Sequence, residues 1–244
     1  MGKPSFMVVI PAYQASGTIE GVLHRIPPDA YERIDTIIVV NDGSTDGTDK
    51  IVEALSGTFE KLRLVHHPHN MGYGAAQKTG IGKALALGAE IVALLHADGQ
   101  YAPELLLEMI RPCEEDMADL VMGSRMLDGG ALEGGMPLYK YLANRSLTSL
   151  ENRVYGLEIS EYHSGYMVYS RNTLLAIPYT RLSDSFHFDG EMLMMSQKKA
   201  LRLTEIAIPT SYGDEQSHLN PVKYGFEVLK VIFHYIVGHY NRLR

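Results

Sequence analysis

Short apolar runs alternate with helical patterns through the first half of the chain. Met7-Val8-Val9-Ile10 is continuously apolar, the signature of a strand buried on both faces. Ile19, Val22, Leu23 and Ile26 then recur at helical spacing behind Ser16, a candidate cap, and Pro27-Pro28 stops that helix. Residues 36–40 form a β-branched second strand, after which Ser44 or Thr45 is expected to cap a helix carrying Ile51, Val52 and Leu55. Residues 62–66 read as a third strand, about 75–87 as an Ala-rich helix, and 90–95 as a fourth strand. Pro103 stands at the first position of a helix bearing Leu105, Leu106, Met109 and Ile110, and Leu120-Val121-Met122 is a fifth strand.

The second half is less regular. Gly129-Gly130 and Gly134-Gly135 predict a flexible loop over 128–136. A helix follows over 137–155 and closes at Gly156. Short strands are expected near 166–169 and 203–208, with a helix over about 189–199 between them. The last helix carries Val228, Leu229, Val231, Ile232, Tyr235 and Ile236. No repeat, low-complexity stretch or linker divides the chain, so it reads as one domain over 1–215 with an appended helical segment over 216–244. Strand–helix alternation implies an α/β fold, a mostly parallel sheet flanked by helices. Such sheets bind ligands at the carboxyl ends of their strands, which directs attention to 11–14, 41–46, 67–74, 96–100 and 123–125.

Composition adds bounds. The 244 residues are 45% hydrophobic and 21% charged, as in a globular chain. Twenty-two basic against 29 acidic residues give −7, which argues against nucleic acid as a general partner. One cysteine, Cys113, permits no intrachain disulfide and fits a reducing compartment. No apolar run reaches the ~18 residues of a membrane span, and no signal peptide is visible, so a cytoplasmic location is expected. The tail departs from the whole: from Pro221 onward Lys223, Lys230, Arg242 and Arg244 face Glu227 alone, a balance of +3. Val228, Val231, Ile232 and Tyr235 share one face of its helix. That face has three candidate seats: the domain, a second subunit in a homodimer, or the inner surface of a membrane.

Several motifs fail. Gly72-Tyr73-Gly74-Ala75-Ala76-Gln77 lacks the last glycine of a dinucleotide fingerprint and follows the wrong strand. Gly82-Lys83 lacks the rest of a P-loop. His66-His67-Pro68-His69 has no carboxylate or thiol spaced to complete a metal cluster and reads as a solvated loop. His234 and His239 are five apart and do not share a helix face. Lys78 reads as a solvated lysine.

Two segments carry chemistry. Asn41-Asp42-Gly43-Ser44-Thr45-Asp46-Gly47-Thr48 has the residues of a tight turn and a helix cap, yet Asp42 is also placed to accept hydrogen bonds from the N–H edge of a nucleobase. In His96-Ala97-Asp98-Gly99-Gln100, Asp98 and Gln100 alternate with small residues. Two oxygen donors could thus meet a hard divalent cation, unless Asp98 is only a cap.

Taken together and in order, V-I-P-A-Y, N-D-G-S-T-D-G-T, N-x-G-x-G-x-A, the D-x-D-like element, Gly123-Ser124-Arg125 and the segment from Ser164-Gly165-Tyr166 to Arg171 resemble glycosyltransferase family 2, in its dolichyl- and polyprenyl-phosphate sugar transferase branch. The resemblance spans roughly residues 5–215. It implies a GT-A fold and an inverting enzyme that moves a sugar from a UDP- or GDP-sugar. The implied acceptor is polyprenyl phosphate or a cell-envelope glycan precursor, and Mg2+ or Mn2+ would assist. By position, Pro11, Ala12, Tyr13 and Gly72 would line the donor pocket and Asp42 would read the base. Asp98 and Gln100 would hold metal and diphosphate, with His96 in place of the first Asp of D-x-D. Arg125 would meet a phosphate, or else form a salt bridge. A hydroxyl acceptor would need a base, for which Asp189 and Glu191 are candidates, Asp189 having a helix N-cap as its plain alternative. The chain also departs from the family: Gln14-Ala15 replace N-E, and the region 212–218 lacks R-x-x-G-x-S-K. The second departure weakens the case for a polyprenyl-phosphate acceptor specifically, while Ala15 and His96 keep open a second reading, a non-catalytic nucleotide-sugar-binding or scaffold protein on the same fold.

Overall fold

The computed structural model describes residues 2–209 and 221–243. Seven strands form one sheet: β1 (Phe6–Ala12), β2 (Thr36–Asn41), β3 (Leu62–His66), β4 (Ile91–Leu94), β5 (Leu120–Ser124), β6 (Met167–Ser170) and β7 (Leu203–Ala207). Their order is β3-β2-β1-β4-β6-β5-β7. β1 pairs in parallel with β2 and β4, β2 with β3, and β5 with β7. β6 alone is reversed, antiparallel to β4 and β5.

The described helices are α1 (Ile19–His24), α2 (Pro28–Arg33), α3 (Thr48–Leu55), α4 (Tyr73–Ala86), α5 (Leu106–Glu114), α6 (Gly130–Glu133), α7 (Leu138–Tyr155), α8 (Arg171–Ala176), α9 (Phe188–Lys198) and α10 (Pro221–Ile236). Side chains alternate across a strand, so each strand feeds two cores. Phe6, Val8 and Ile10 of β1 pack with Ile19, Val22 and Leu23 of α1 and with Leu106, Met109 and Ile110 of α5. Met7 and Val9 face the other way, toward Ala76, Ile81 and Ala84 of α4, Met192 and Leu193 of α9, and Val228 and Ile232 of α10. The predicted apolar face of the last helix therefore packs on the domain. The boundary expected between 215 and 216, and the departure noted over 212–218, lie outside the described residues.

Local capping differs from expectation. α1 starts after Thr18, with no side-chain cap, and the Ser16 N–H instead donates to Asp46 Oδ2 at 2.9 Å. α3 starts after Gly47, whose φ of 90° turns the chain into the helix, while Asp46 accepts from Thr48 N and Oγ1. Ser44 and Thr45 cap nothing: their hydroxyls accept from Gln14 N and Nε2. Over 128–136 the expected loop holds a turn of helix, α6, because Ala131 and Met136 bury together with Met126.

Candidate functional site

At the carboxyl end of β1, Pro11 and Ala12 lie in register with Val40 and Asn41 of β2, and Tyr13 stands out, half-exposed, beyond them. Gln14 takes a left-handed φ of 51° and its Oε1 accepts from Thr45 N and Asp46 N. The two loops are thus stitched together, and Asp46 is the knot. Burial pushes its carboxyl up, but the bonds from Thr48 and Ser16 outweigh this and bring it down to about 2. Asp42 is buried, and its oxygens accept from His67 Nδ1 at 2.7 Å, Met71 N at 2.9 Å and Gly72 N at 3.0 Å. A carboxylate there also suits the positive end of α4, which begins at Tyr73. Asp42 therefore holds the approach to α4, and His67, read from sequence as solvated, is buried between Asp42 and Thr79. Gly72 has φ 106°, and a Cβ there would collide with the carbonyl oxygen of Asp184.

The end of β4 brings in α4 and α9. Asp98 and Gln100 are exposed, and Asp98 Oδ1 accepts from Gln100 N at 3.0 Å. His96 is half-buried, edge-on to the rings of Tyr73 and Tyr101. Its Nε2 is 2.7 Å from Tyr73 Oη, which donates onward to Asp189 Oδ2 at 2.7 Å, while Gln77 Nε2 donates to Asp189 Oδ1 at 3.0 Å. Tyr73 has one proton to give, so with Asp189 ionised His96 must carry its proton on Nε2. Burial lowers the His96 pKa and raises that of Asp189 to about 7, against the opposing bonds from Tyr73 and Gln77. Asp189 is not a cap: His187 is the N-cap of α9, and the Asp189 carboxylate is 5% exposed with both oxygens engaged. Glu191, the other candidate base, accepts from Ser183 N and Tyr240 Oη. Gly165 closes over this chain, its N–H donating to Tyr101 Oη at 2.8 Å, and a Cβ there would strike Tyr73 Oη and the His96 ring.

At the end of β5, Arg125 is neither a surface salt bridge nor loose. Its Nη2 donates to Glu161 Oε2 and to the carbonyl of His163, both at 2.7 Å, and its N–H donates to Glu161 Oε1 at 2.6 Å. Glu161 is fully buried, which alone would raise its pKa, yet the adjacent Arg125 holds it below the ordinary carboxylate range. The Arg125 charge also acts on His96 and Tyr101, so it belongs to the same cluster. Lys78 is not solvated: its Nζ pairs with Asp184 Oδ1 at 2.9 Å and with the Leu182 carbonyl.

Sequence reasoning missed Glu161, Tyr73 and Gln77 as members of the site. Gly165 lay within a quoted motif, but nothing local marked its closeness to His96. Among the described residues no three His, Cys, Asp or Glu side chains converge as a metal cluster. The donor set at β4 is one exposed carboxylate and one amide, with His96 Nε2 already bonded. It suits a cation such as Mg2+ that takes few protein ligands and completes its shell with phosphate and water oxygens.

A family model described as Glycosyl transferase family 2 matches residues 7–176. A UDP-N-acetylglucosamine--dolichyl-phosphate N-acetylglucosaminyltransferase of Methanococcus voltae is 29% identical over 88% of this chain and 88% of its own length. A polyprenol monophosphomannose synthase of Mycolicibacterium smegmatis is 26% identical over 83% of this chain and 76% of that one. Among solved structures, glucosyl-3-phosphoglycerate synthase from Mycobacterium tuberculosis, in complex with Mn2+, UDP and glucosyl-3-phosphoglycerate, aligns with a TM-score of 0.68 at 18% identity, over 98% of this chain and 80% of that one.

Proposed function

Because the chain belongs to glycosyl transferase family 2 and has the GT-A fold, we propose that this glycosyltransferase moves a sugar from a UDP- or GDP-sugar to a polyprenyl phosphate. The observation that carries the acceptor class is the enclosure of Asp189. A hydroxyl acceptor needs a base within hydrogen-bond reach, and this carboxylate is shut behind Tyr73 and Gln77. A phosphate monoester is already anionic and needs none. The names of the Methanococcus and Mycolicibacterium relatives support the same acceptor class.

In this reading Pro11, Ala12 and Tyr13 receive the nucleotide, with Asp42 and Gly72 fixing the wall of that pocket. Asp98 and Gln100 would hold Mg2+ or Mn2+, which when bound would supply positive charge against the leaving diphosphate. Arg125, held in place by buried Glu161, brings its positive charge to the strand ends where phosphate oxygens would lie. Asp189 acts through Tyr73 to fix the His96 ring at the end of β4, so it is a positioning residue. The sugar passes in one in-line displacement with inversion.

The test is transfer from a panel of labelled UDP- and GDP-sugars to polyprenyl phosphate with Mg2+ or Mn2+, beside thermal shifts with the same donors. A metal-dependent lipid product, lost in Asp98→Ala together with the donor's thermal shift, is the expected result. Donor binding with no turnover on any acceptor sinks the proposal and favours a binding protein.

A further inference from the structure

α10 is apolar on two sides, and only one is covered. Tyr224, Val228, Val231, Ile232 and Tyr235 pack inward on the core. On the opposite side Phe226, Leu229, Phe233 and Ile236 follow at spacings of three, four and three, a second stripe on one helix. They stand in the open: Phe226 is 69% exposed, Phe233 61% and Ile236 66%. A helix apolar all round is normally buried all round, and a row of large exposed side chains of this kind marks an interaction surface.

The charges around the stripe select its occupant. The one acid over residues 221–243 is Glu227, and its carboxylate turns to His187 Nε2 at 2.6 Å. The exposed charged groups described over this stretch are basic, Lys230 on α10 and Arg242 on the short turn that follows it, in a protein whose net charge is −7. A symmetric pairing of two such stripes would bring like charges together. An anionic lipid surface meets both features, because apolar side chains seat at the headgroup–acyl boundary and cations stay among the phosphates.

We infer that the outer stripe of α10, centred on Phe226, Leu229, Phe233 and Ile236 and flanked by Lys230 and Arg242, docks this protein on an anionic bilayer. This deepens the proposed function by locating the surface from which a lipid phosphate would be met. It does not depend on which sugar is transferred.

The experiment is co-flotation of the full chain with vesicles of phosphatidylcholine alone or with added phosphatidylglycerol, free of polyprenyl phosphate and nucleotide. Binding to the anionic vesicles that weakens with salt is expected. Phe226→Ser with Phe233→Ser should lower it about tenfold or more, with unchanged circular dichroism and melting temperature since both side chains are exposed. Lys230→Glu should lower it about fivefold or more on anionic vesicles alone. The inference is overturned if the wild type floats with neither vesicle at low salt, or if the double variant floats like the wild type. It is also overturned if sedimentation velocity shows a dimer that the double variant dissociates. Transfer to a detergent-dispersed acceptor, measured separately, reports on the proposed function and not on docking.

Discussion

Glu151→Gln tests how this protein tolerates a buried acid. Glu151 lies on the inner side of α7, 4% exposed, and its Oε2 makes no hydrogen bond. Tyr155 Oη and His163 Nε2 make none either, and all three residues line a cavity of about 10 Å3 under α10, the size of one water. Burial pushes Glu151 up to about 8 and His163 down to about 4, so their 3.5 Å contact joins two neutral groups near pH 7. An unfolded glutamate titrates near 4.5. Between that value and about 8 the folded chain holds a proton the unfolded chain has released, so stability falls as pH rises through the window and is level beyond it. At about 1.36 kcal/mol per pH unit the whole span is worth at most about 5 kcal/mol, less whatever water entering the cavity relieves. His163 works in the opposite sense, weakening the fold as pH falls from 6.5 to about 4. The two slopes oppose each other between 4.5 and 6.5, and above 6.5 Glu151 acts without His163, for roughly 2 kcal/mol by pH 8. Urea unfolding of the wild type and Glu151→Gln should be compared from about pH 5 to pH 9, since their difference cancels His163, Asp189 and every other shared group. The variant should gain on the wild type by about 1 kcal/mol per pH unit and then level off near pH 8. Parallel curves would refute the desolvation argument.

Asp189→Asn should lower turnover by about tenfold or less and leave its pH profile in place, because the group positions His96 through Tyr73; a loss of about 10²–10⁴ would restore it as a general base. Tyr73→Phe leaves Asp189 Oδ2 and His96 Nε2 without their shared partner and should cost about 1–3 kcal/mol of stability, read by urea unfolding. Gly165→Ala drives a methyl group into Tyr73 Oη and the His96 ring and should cost a similar 1–3 kcal/mol, roughly, with a fall in kcat. Unchanged stability and kcat in that variant would mean the three residues are not tightly packed.

Much of the fold was legible because the physics that fixes it is local. The runs at 7–10 and 36–40 and the i, i+3, i+4 patterns after them set strands and helices within a residue or two. The reversal of β6 was not legible, since a four-residue apolar strand looks the same in either direction. The loop chemistry of 41–48 was recognised as turn and cap chemistry but given the wrong caps. The partners that claim Ser44, Thr45 and Asp46 sit on Gln14 and Ser16, some thirty residues earlier. Lys78 shows the same limit over a longer range, because its counter-ion Asp184 is 106 positions away. The inner stripe of α10 was seen, and it obscured the outer one, since periodicity finds the face it is tuned to and passes over a second.

The site divides on the same line. Asp98, Gln100 and Arg125 stand at strand ends, where strand–helix alternation says chemistry collects. What gives Arg125 its orientation is Glu161, a buried residue on an irregular segment with no periodic signal. What gives His96 its orientation is Tyr73, inside a glycine motif read as a failed fingerprint, and behind it Asp189, 116 residues further on. Arg125 and His96 are each backed by a buried group that fixes their direction, whereas Asp98 and Gln100 stand exposed and, among the described residues, bond only to each other. The outer groups have types and spacings that sequence reveals. The inner ones are defined only by the distance to what they support, and Asp189 illustrates the consequence. Its residue type and aromatic neighbours suggested a base, while its enclosure by Tyr73 and Gln77 makes it a fixed hydrogen-bond acceptor.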